Sequence, residues 1–455
     1  MSEIVVGILG FICIIAIVLT LFKSKTLPSI AFIVFPFLLA MILVTGGYYS
    51  VGNVGSLIKS GFNSTAPTAA LFVFSVLYFG IMTDAGMFDV IIGRLMKLVG
   101  NSVIGVTVMT AVIALIGHLD GGGASTFCIV VPSMLPVYKK MHIRPTTLLR
   151  VSVLAMGILN LMPWAGPTMR AASVLGMEAG SLWNTLLPIQ AFGIVLVLAH
   201  AVLAGWQEQK RGAGLNGRLA QLEGDVVLDE TAQKEQNELA RPKLFWFNVL
   251  LTVGVIALLI WDEFPSYVPF MLGVAAAILV NYGLDAKMHK KIINLHAGPA
   301  LMMCSTLMGA AVLMGVLVKS VTVNDVEVAS VVTCMADLIK MVLPAFLGRH
   351  LPLVIGILSV PLALAFDTDS YFYGMLPVMI GIGEGFGIAA LPIAVAMVVC
   401  RNCATFISPM VPATLLGVGL ADVDIKDHIK NSFLYVWGFS ILCMIFAIIV
   451  GIMPL

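Results

Sequence analysis

Long apolar runs with few charges constrain this chain more than any other feature of its sequence. Of its 455 residues, 60% are hydrophobic and 11% are charged, whereas a soluble globular protein carries about 25% charged residues. Many runs exceed the roughly 18 apolar residues that cross a bilayer. The composition therefore predicts an all-α polytopic membrane protein with the lipid bilayer as its main solvent. The net charge of +1 provides no basic field for nucleic acid.

The apolar runs, and the Gly, Pro and charged residues that separate them, divide the chain into two similar halves. The first half is 1–205, the second is 244–455, and a polar linker, 206–243, joins them. One interrupted segment in each half, 103–138 and 352–385, predicts a re-entrant helical hairpin rather than a crossing. The predicted spans are 4–22, 29–47, 66–83, 146–176 and 182–205 in the first half, and 244–260, 267–283, 300–318, 390–420 and 431–453 in the second.

Recurring motifs and the distribution of charge predict how the halves are related. The motif Met-Leu-Pro at 134–136 recurs at 375–377. Five crossings in each half would turn the second copy upside down, as in an inverted repeat. Eighteen of the 25 Lys and Arg residues fall on the face of the linker and four on the opposite face. The linker is therefore predicted to be cytoplasmic, with both termini on the outer side of the cell membrane. The first hairpin would then enter from the cytoplasm and the second from outside.

Proline pairs interrupt one predicted span in each half, 146–176 and 390–420. The first break contains Pro163 and Pro167, and Pro167 suits the first turn of a new helix. The second break is Ser-Pro-Met-Val-Pro at 408–412. Broken helices at membrane depth are tolerated where they line a cavity or are buried in protein. The breaks and the hairpin tips are therefore expected to meet at a substrate site near the midplane.

Charged residues near the breaks favour an anionic substrate. A helix that begins inside the protein presents free N–H groups and its positive dipole end to the site. Arg170 adds a charge that can hold a carboxylate with two hydrogen bonds. Arg401, beside Asn402, is a second arginine within a span and counts as a functional candidate. The simpler reading of each arginine is a structural pair with a hairpin aspartate.

The hairpin tips carry acidic residues. Asp120 precedes three glycines, which permit a tight turn and close approach of a ligand. Ser125 and Thr126 follow and can donate hydroxyl groups or cap the second arm. The other tip is Asp-Thr-Asp-Ser at 367–370. Carboxylates at such a depth are candidate proton carriers or cation ligands. His118 is either a proton relay or an interfacial histidine that the backbone satisfies.

At these positions the chain resembles the metal-citrate:proton symporters (CitMHS) of the ion transporter superfamily. The resemblance extends over nearly the whole chain and is strongest at 66–82, 120–136, 163–173, 373–377 and 408–412. It implies a homodimer with a scaffold region and a mobile transport region, which contains the hairpins and broken helices and moves by an elevator-like displacement. It also implies citrate as the substrate, often with a divalent metal, together with protons and without a resident cofactor or metal.

The residue pattern and the resemblance together predict two half-sites. The predicted coupling residues, for a proton or a cation, are Asp120, Asp367 and Asp369. The predicted substrate-binding residues are Ser125, Thr126, Asn160, Gly166, Pro167, Thr168, Arg170, Ser370, Arg401, Asn402, Ser408 and Pro412.

Two departures from the family's pattern bear on the substrate. The first hairpin commonly reads Asp-Gly-Asp-Gly in the family, whereas Gly122 replaces the second aspartate here. Members often have an uncharged stretch where this chain has Arg401. The site is then about two charge units more positive, which is about the difference between a metal-citrate complex and free citrate. We therefore expect a preference for the free tricarboxylate or a related polyanion.

Proton-coupled uptake of citrate or a related di- or tricarboxylate is the leading prediction. A sodium/proton or other cation antiporter shares broken helices and buried carboxylates, but does not need Arg170 at the start of a helix. An intramembrane enzyme or a carboxylate receptor is a further alternative, although His118 and Asp120 lack a third catalytic partner. No phosphate-binding Gly-x-x-x-x-Gly-Lys-Ser/Thr loop is present. We therefore expect no ATP-driven pump, and the missing catalytic partner predicts that the chain is not an enzyme.

Overall fold

Most of the apolar runs form helices in the computed structural model, which describes residues 1–22, 26–98, 100–215, 239–261, 263–323 and 326–454. The helices of the first half are α1 (Glu3–Phe22), α2 (Pro28–Thr45), α3 (Val51–Asp84), α4 (Met87–Met96), α5 (Val103–Gly117), α6 (Gly123–Lys140), α7 (Pro145–Leu159), α8 (Gly166–Leu175) and α9 (Ala179–Arg211).

The second half also contains long, short and broken helices. Its helices are α10 (Phe245–Trp261), α11 (Tyr267–Tyr282), α12 (Ala286–Val318), α13 (Val331–Lys340), α14 (Ala345–Arg349), α15 (Leu351–Ala363), α16 (Leu376–Glu384), α17 (Ala390–Cys403), α18 (Pro412–Leu420) and α19 (Ile425–Ile449). Between α12 and α13, β1 (Val321–Val323) pairs antiparallel with β2 (Val326–Val328). A π-helical segment, Ser370–Met375, precedes α16.

The lengths of the helices agree with a polytopic membrane protein. In the described part of the chain, nine helices are long and apolar enough to cross a membrane. The shorter apolar helices are α7, α11 and α15. The predicted all-α class is confirmed, and the ribbon of β1 and β2 is a small addition to it. The predicted spans all fall on helices, but the short helices α4, α13 and α14 in the connecting segments were not predicted.

Two predicted spans cover only about half of the helices that contain them. The span predicted at 66–83 is the second half of α3, and the one at 300–318 is the second half of α12. Polar residues at the start of each helix lower the hydropathy there. Side-chain caps nevertheless fix the true starts, because Ser50 accepts a hydrogen bond from the N–H of Asn53 and Asp285 caps α12 in the same way.

The predicted linker, 206–243, begins too early. α9 continues to Arg211, where Gly212 adopts a left-handed conformation (φ 100°) that ends the helix. The polar residues at 206–211 therefore extend a helix instead of starting a loop. The middle of the predicted linker, 216–238, lies outside the described residues.

The helices pack in two groups, and glycines bring the central helices of the first group together. In this group α3 packs against α12, with α2 and α11 beside them and α1 against α2. A Cβ atom on Gly61 of α3 would clash with the carbonyl oxygen of Ala311, and one on Gly315 would clash with that of Leu57. Small residues therefore permit close crossing of these two helices.

The second group contains both broken helices and the segments predicted as hairpins. The helices α5, α7 and α9 pack on one another, and α15, α17 and α19 form a corresponding set. The two sets meet where α7 contacts α17 and α19 and where α6 contacts α18. Every residue of α7 from Thr147 to Leu159 is buried, as are all residues of α17 from Ile393 to Cys403. The broken helices therefore lie at the centre of this group.

Candidate functional site

Both breaks and both tips surround one cavity of about 750 Å³. The first group of helices contributes Leu21, Pro28, Phe72 and Met303 to its wall, and the second group contributes most of the rest. The predicted site residues that line the cavity are Asn160, Gly166, Pro167, Arg170, Asp367, Asp369 and Pro412. The volume and the mixed polar and apolar wall suit a small polar molecule.

The first break is held open by hydrogen bonds to one backbone oxygen. α7 ends before Asn160, and α8 begins with Gly166 and Pro167 in its first turn, as the sequence predicts. The hydroxyl of Thr168 donates to the carbonyl oxygen of Asn160 over 2.7 Å, and Nδ2 of Asn402 donates to the same oxygen over 3.0 Å. Thr168 and Asn402 are fully buried. These two side chains therefore position the break instead of forming the cavity wall.

Arg170 lies in the wall of the cavity and is paired with an aspartate. Its Nε donates to Oδ1 of Asp369 over 2.5 Å, and the exposed fractions of the two side chains are 9% and 16%. The pair with a hairpin aspartate that the sequence allowed is therefore present, and it faces the cavity. Gly166 makes room for the guanidinium, since a Cβ atom at this position would lie 2.5 Å from Nη1 of Arg170.

The first tip uses its aspartate as a cap. Oδ1 of Asp120 accepts a hydrogen bond from the N–H of Gly122 over 2.7 Å, and Oδ2 accepts one from the hydroxyl of Ser125. Gly121, with a φ of 70°, and Gly123 form the cavity wall here. A Cβ atom on Gly123 would clash with the ring of Phe406. Bare backbone at the start of α6 therefore meets the second break.

The second tip also uses an aspartate as a cap. The carboxylate of Asp367 accepts hydrogen bonds from the N–H of Ser370 over 2.8 Å and from its hydroxyl over 2.7 Å. Asp367 also lines the cavity, together with Thr368 and Asp369. Ser370 is buried beneath the tip and acts through Asp367.

The second break begins earlier than the sequence indicated. α17 ends at Cys403, so Arg401 and Asn402 lie in its last turn, directly at the break. Pro412 occupies the first turn of α18, as Pro167 does in α8. The buried hydroxyl of Ser408 accepts a hydrogen bond from the N–H of Met410 over 3.2 Å. Ser408 therefore shapes the turn that leads to Pro412.

Arg401 is fully buried behind the second tip and is not part of the cavity wall. Its Nη2 donates to the carbonyl oxygen of Phe366 over 3.2 Å, and Nη1 donates to the hydroxyl of Thr405 over 3.3 Å. Its guanidinium carbon lies 5.7 Å from the centre of the Tyr371 ring. In the described part of the chain no carboxylate lies within ion-pair distance of Arg401. The charge therefore acts on the cavity only at longer range.

Several apolar residues of the cavity wall were not predicted from the sequence. Phe72 and Met303 come from α3 and α12, and Phe406 and Met410 come from the second break. In a membrane protein, apolar side chains that face a cavity have the same pattern as those that face lipid. The sequence holds no signal for the first two, whereas the last two adjoin a predicted break.

Few acidic groups are available to hold a metal ion. No group of three or more His, Cys, Asp and Glu side chains in the described part of the chain is arranged to bind one. Asp367 and Asp369 are the carboxylates of the cavity wall. Both already accept hydrogen bonds, from Ser370 and Arg170.

Comparison with known proteins identifies the family. The profile of the citrate transporter family (CitMHS) matches residues 11–400. The chain is 33% identical to a "Citrate transporter" of Bacillus subtilis (strain 168), over 98% of this chain and 99% of that protein. It is 32% identical to a "Mg(2+)/citrate complex secondary transporter" of the same organism, over 93% of each chain. An "Uncharacterized transporter YraO" of the same organism is 28% identical over 98% of each.

A solved structure has the same fold. The crystal structure of the YdaH transporter of Alcanivorax borkumensis, described as having an unusual topology, superposes with a TM-score of 0.55 at 14% identity, over 87% of each chain. The apolar helices and the family match together define a multi-pass membrane transporter. The chain belongs to the CitMHS family of citrate transporters. Members of this family are transporters, so the prediction that the chain is not an enzyme is confirmed.

Proposed function

We propose that this chain is a secondary active transporter that takes up citrate, or a related di- or tricarboxylate, together with protons. The observation that carries the proposal is Arg170, which lies in the first turns of α8 and faces the cavity. The positive end of α8 and the guanidinium suit a carboxylate. A cation antiporter would not need an arginine at the start of a helix that faces the cavity. The names of the two relatives above 30% identity support citrate as the substrate.

Asp369 is the proposed link between substrate and coupling ion. It occupies the position on Arg170 that a carboxylate of citrate would take. An entering carboxylate displaces Asp369 from Arg170, and an unpaired carboxylate in this buried place is unfavourable. A proton, or a divalent metal that arrives with citrate, then neutralises Asp369. Asp120 and Asp367 are weaker coupling candidates, because both oxygens of each already accept hydrogen bonds.

The proposed substrate form is the free anion. Gly122 replaces a carboxylate of the family's pattern in the first tip, and Arg401 adds a charge without a carboxylate partner in the described chain. Arg401 does not reach the cavity wall, so its effect would be electrostatic attraction at a distance and not a contact. The proposed preference for the free anion therefore rests more on Gly122 than on Arg401.

Uptake of labelled citrate into proteoliposomes with an inward proton gradient tests the function. We expect uptake by the unmodified protein, which the gradient stimulates, and faster uptake in EDTA than in excess magnesium. Arg170→Gln should reduce uptake at least about tenfold. Arg150→Gln is the matched control, because Arg150 is also a buried arginine but packs on Tyr435, away from the cavity. Equal uptake by Arg170→Gln and the unmodified protein would contradict the proposal.

The proposed transport motion is an elevator-like displacement of the second helix group against the first. The cavity supports it, since Phe72 and Met303 belong to one group and Arg170 and Asp369 to the other. We further propose that 1–205 and 244–455 are inverted repeats, with the linker in the cytoplasm and both termini outside.

Labelling of single cysteines tests this motion. Thr368→Cys, at the second tip, should react with a membrane-impermeant thiol reagent from one side with citrate and from the other side without it. Cysteines near either terminus should react from outside only. Reactivity of the tip from a single side under both conditions would contradict the elevator. The homodimer that the family resemblance implies predicts twice the chain mass in mass photometry.

A further inference from the structure

His118 lies fully buried behind the cavity wall, and both of its ring nitrogens face oxygen atoms. Nδ1 lies 2.7 Å from the hydroxyl oxygen of Thr126, and Nε2 lies 3.1 Å from Oδ1 of Asn160. The ring packs edge-on against Phe406, with 5.3 Å between the ring centres. The imidazole therefore joins the second arm of the first hairpin to the first break. It is not an interfacial histidine that backbone groups satisfy.

The hydroxyl of Thr126 can serve either protonation state of this imidazole. Its oxygen lies 2.7 Å from the carbonyl oxygen of Gly122 as well as 2.7 Å from Nδ1 of His118. A hydroxyl has one proton to donate and can also accept. Beside a neutral imidazole it donates to Nδ1. Beside a protonated imidazole it accepts from Nδ1–H and turns its own proton to Gly122. Nε2–H donates to Asn160 in both states, so neither state leaves a ring nitrogen unpaired.

Asn160 connects this imidazole to the cavity. Oδ1 faces His118, whereas Nδ2 is buried without a hydrogen-bond partner among the described residues. Asn160 also lines the cavity. An unpaired buried N–H group is unfavourable unless a ligand accepts from it. A positive imidazolium that donates to Oδ1 polarises the amide and makes Nδ2–H a stronger donor. A proton on His118 and an anion at Asn160 therefore stabilise each other.

We propose that His118 is a proton-binding site that is coupled through Asn160 to the anion in the cavity. The inference rests on the proposed function, and it assigns one coupling proton to a group other than the three aspartates. Coupling is reciprocal, so an anion that binds better to the protonated form must raise the proton occupancy of His118. Citrate binding then takes up a proton at this histidine.

The other ionisable groups around His118 are engaged elsewhere or exposed. The 118–120 turn packs against α3, α5, α6 and α7, and no described ionisable group of these elements is hydrogen-bonded to the imidazole. Asp120 caps its own turn. The further groups on these helices are Lys59, Tyr78 and Asp84 on α3, Cys128, Tyr138, Lys139 and Lys140 on α6, and Arg150 on α7. The segment Thr405–Ile407, which carries Phe406, adds none.

Calorimetry of citrate binding to the purified full chain tests the site. Titrations in two buffers of different ionisation enthalpy, at a pH where citrate is fully ionised, give the number of protons taken up per citrate. We expect His118→Gln to take up about one proton fewer than the unmodified protein. His428→Gln should take up as many as the unmodified protein. It is the matched control, because His428 is also buried but faces the backbone oxygen of Phe406 and the hydroxyl of Ser432, and it has no hydrogen bond to Asn160.

A second pair of variants keeps the test independent of any folding defect in His118→Gln. Thr126→Val removes the hydroxyl that serves both states, so proton uptake should fall, and Thr126→Ser, which keeps the hydroxyl, should restore it. Equal proton uptake by His118→Gln and the unmodified protein would overturn the inference. Unmodified protein that binds no citrate under any condition would instead contradict the proposed function.

Discussion

Arg170 and Asp369 form an ion pair that joins the two halves of the chain inside the cavity. Nε of Arg170, from α8, lies 2.5 Å from Oδ1 of Asp369, at the second tip. Both side chains are largely buried, and both belong to the cavity wall. Removing one member of such a pair leaves an uncompensated buried charge, which typically costs about 3–5 kcal/mol. The pair is therefore stable until another carboxylate or another cation replaces one member.

Replacement of Arg170 by lysine should weaken citrate binding while it keeps the charge. Lysine is a point charge without the planar fork that holds a carboxylate through two hydrogen bonds, so we expect the Kd for citrate to rise about 10- to 100-fold. Calorimetry on the purified protein measures this change. Arg150→Lys, away from the cavity, should keep the Kd of the unmodified protein. An unchanged Kd in Arg170→Lys would show that the guanidinium does not hold the substrate.

Replacement of Asp369 by asparagine should separate binding from coupling. Without the competing carboxylate, Arg170 is free for citrate, and we expect binding to be about tenfold tighter. The group that a proton or metal would neutralise is also gone, so a proton gradient should accelerate uptake less than it does for the unmodified protein. Kd and gradient-driven uptake are measured on the same preparation. Asp337→Asn, at an exposed aspartate of α13, is the control. Weaker citrate binding in Asp369→Asn would contradict the exchange.

The breaks and tips could be predicted because proline, successive glycines and charged residues are unfavourable within a continuous membrane helix. Pro167 and Pro412 interrupt the hydrogen-bond ladder, and the structure has each in the first turn of a new helix. Glycines after Asp120 mark a tight turn for the same reason. An arginine at membrane depth also needs a partner, so a pair between Arg170 and a hairpin aspartate was among the expectations.

Other parts of the site depend on packing that a single sequence does not encode. Nothing in the sequence distinguishes Asp369 from Asp367 as the partner of Arg170, because both occupy one turn. Arg401 is a residue type that can bind an anion, yet its side chain donates a hydrogen bond to the carbonyl oxygen of Phe366. Phe72 has the same apolar neighbours as residues that face lipid. Each outcome depends on the rotation of a helix by a fraction of a turn.

Replacement of Gly166 by alanine tests the space that Arg170 needs. A Cβ atom at this position would lie 2.5 Å from Nη1 of Arg170, so the guanidinium must move. We expect the Kd for citrate to rise about tenfold, since a displaced donor loses about one hydrogen bond to a charged group. Gly438→Ala on α19 is the control, because a Cβ atom there meets nothing within 4 Å. Equal Kd values for both variants would contradict this packing.

Replacement of Glu208 by glutamine should lower the stability of the protein without changing citrate binding. Its fully buried carboxylate accepts hydrogen bonds from Arg144 and Thr147, each over 2.7 Å, and from Arg211 over 2.9 Å. Glu208→Gln should lower the free energy of unfolding by about 2 kcal/mol, because an amide N–H group faces arginines. Thermal unfolding in detergent should show a lower Tm with an unchanged Kd for citrate. Asp337→Asn, which removes a partly exposed pair with Lys340, should leave the Tm unchanged.

Restoring a carboxylate at Gly122 should move the preference from free citrate to its metal complex. A Cβ atom at this position would lie 3.0 Å from Oδ2 of Asp120, so Gly122→Asp brings two carboxylates together at the first tip. Two neighbouring carboxylates repel each other unless a cation lies between them, and oxygen ligands suit magnesium and calcium. Uptake of labelled citrate by this variant should be slower in EDTA than in excess magnesium, the reverse of the unmodified protein. Gly122→Asn has a similar size without the charge and should keep the preference for EDTA. If Gly122→Asp and Gly122→Asn respond alike to magnesium, the charge at this tip does not select the substrate form.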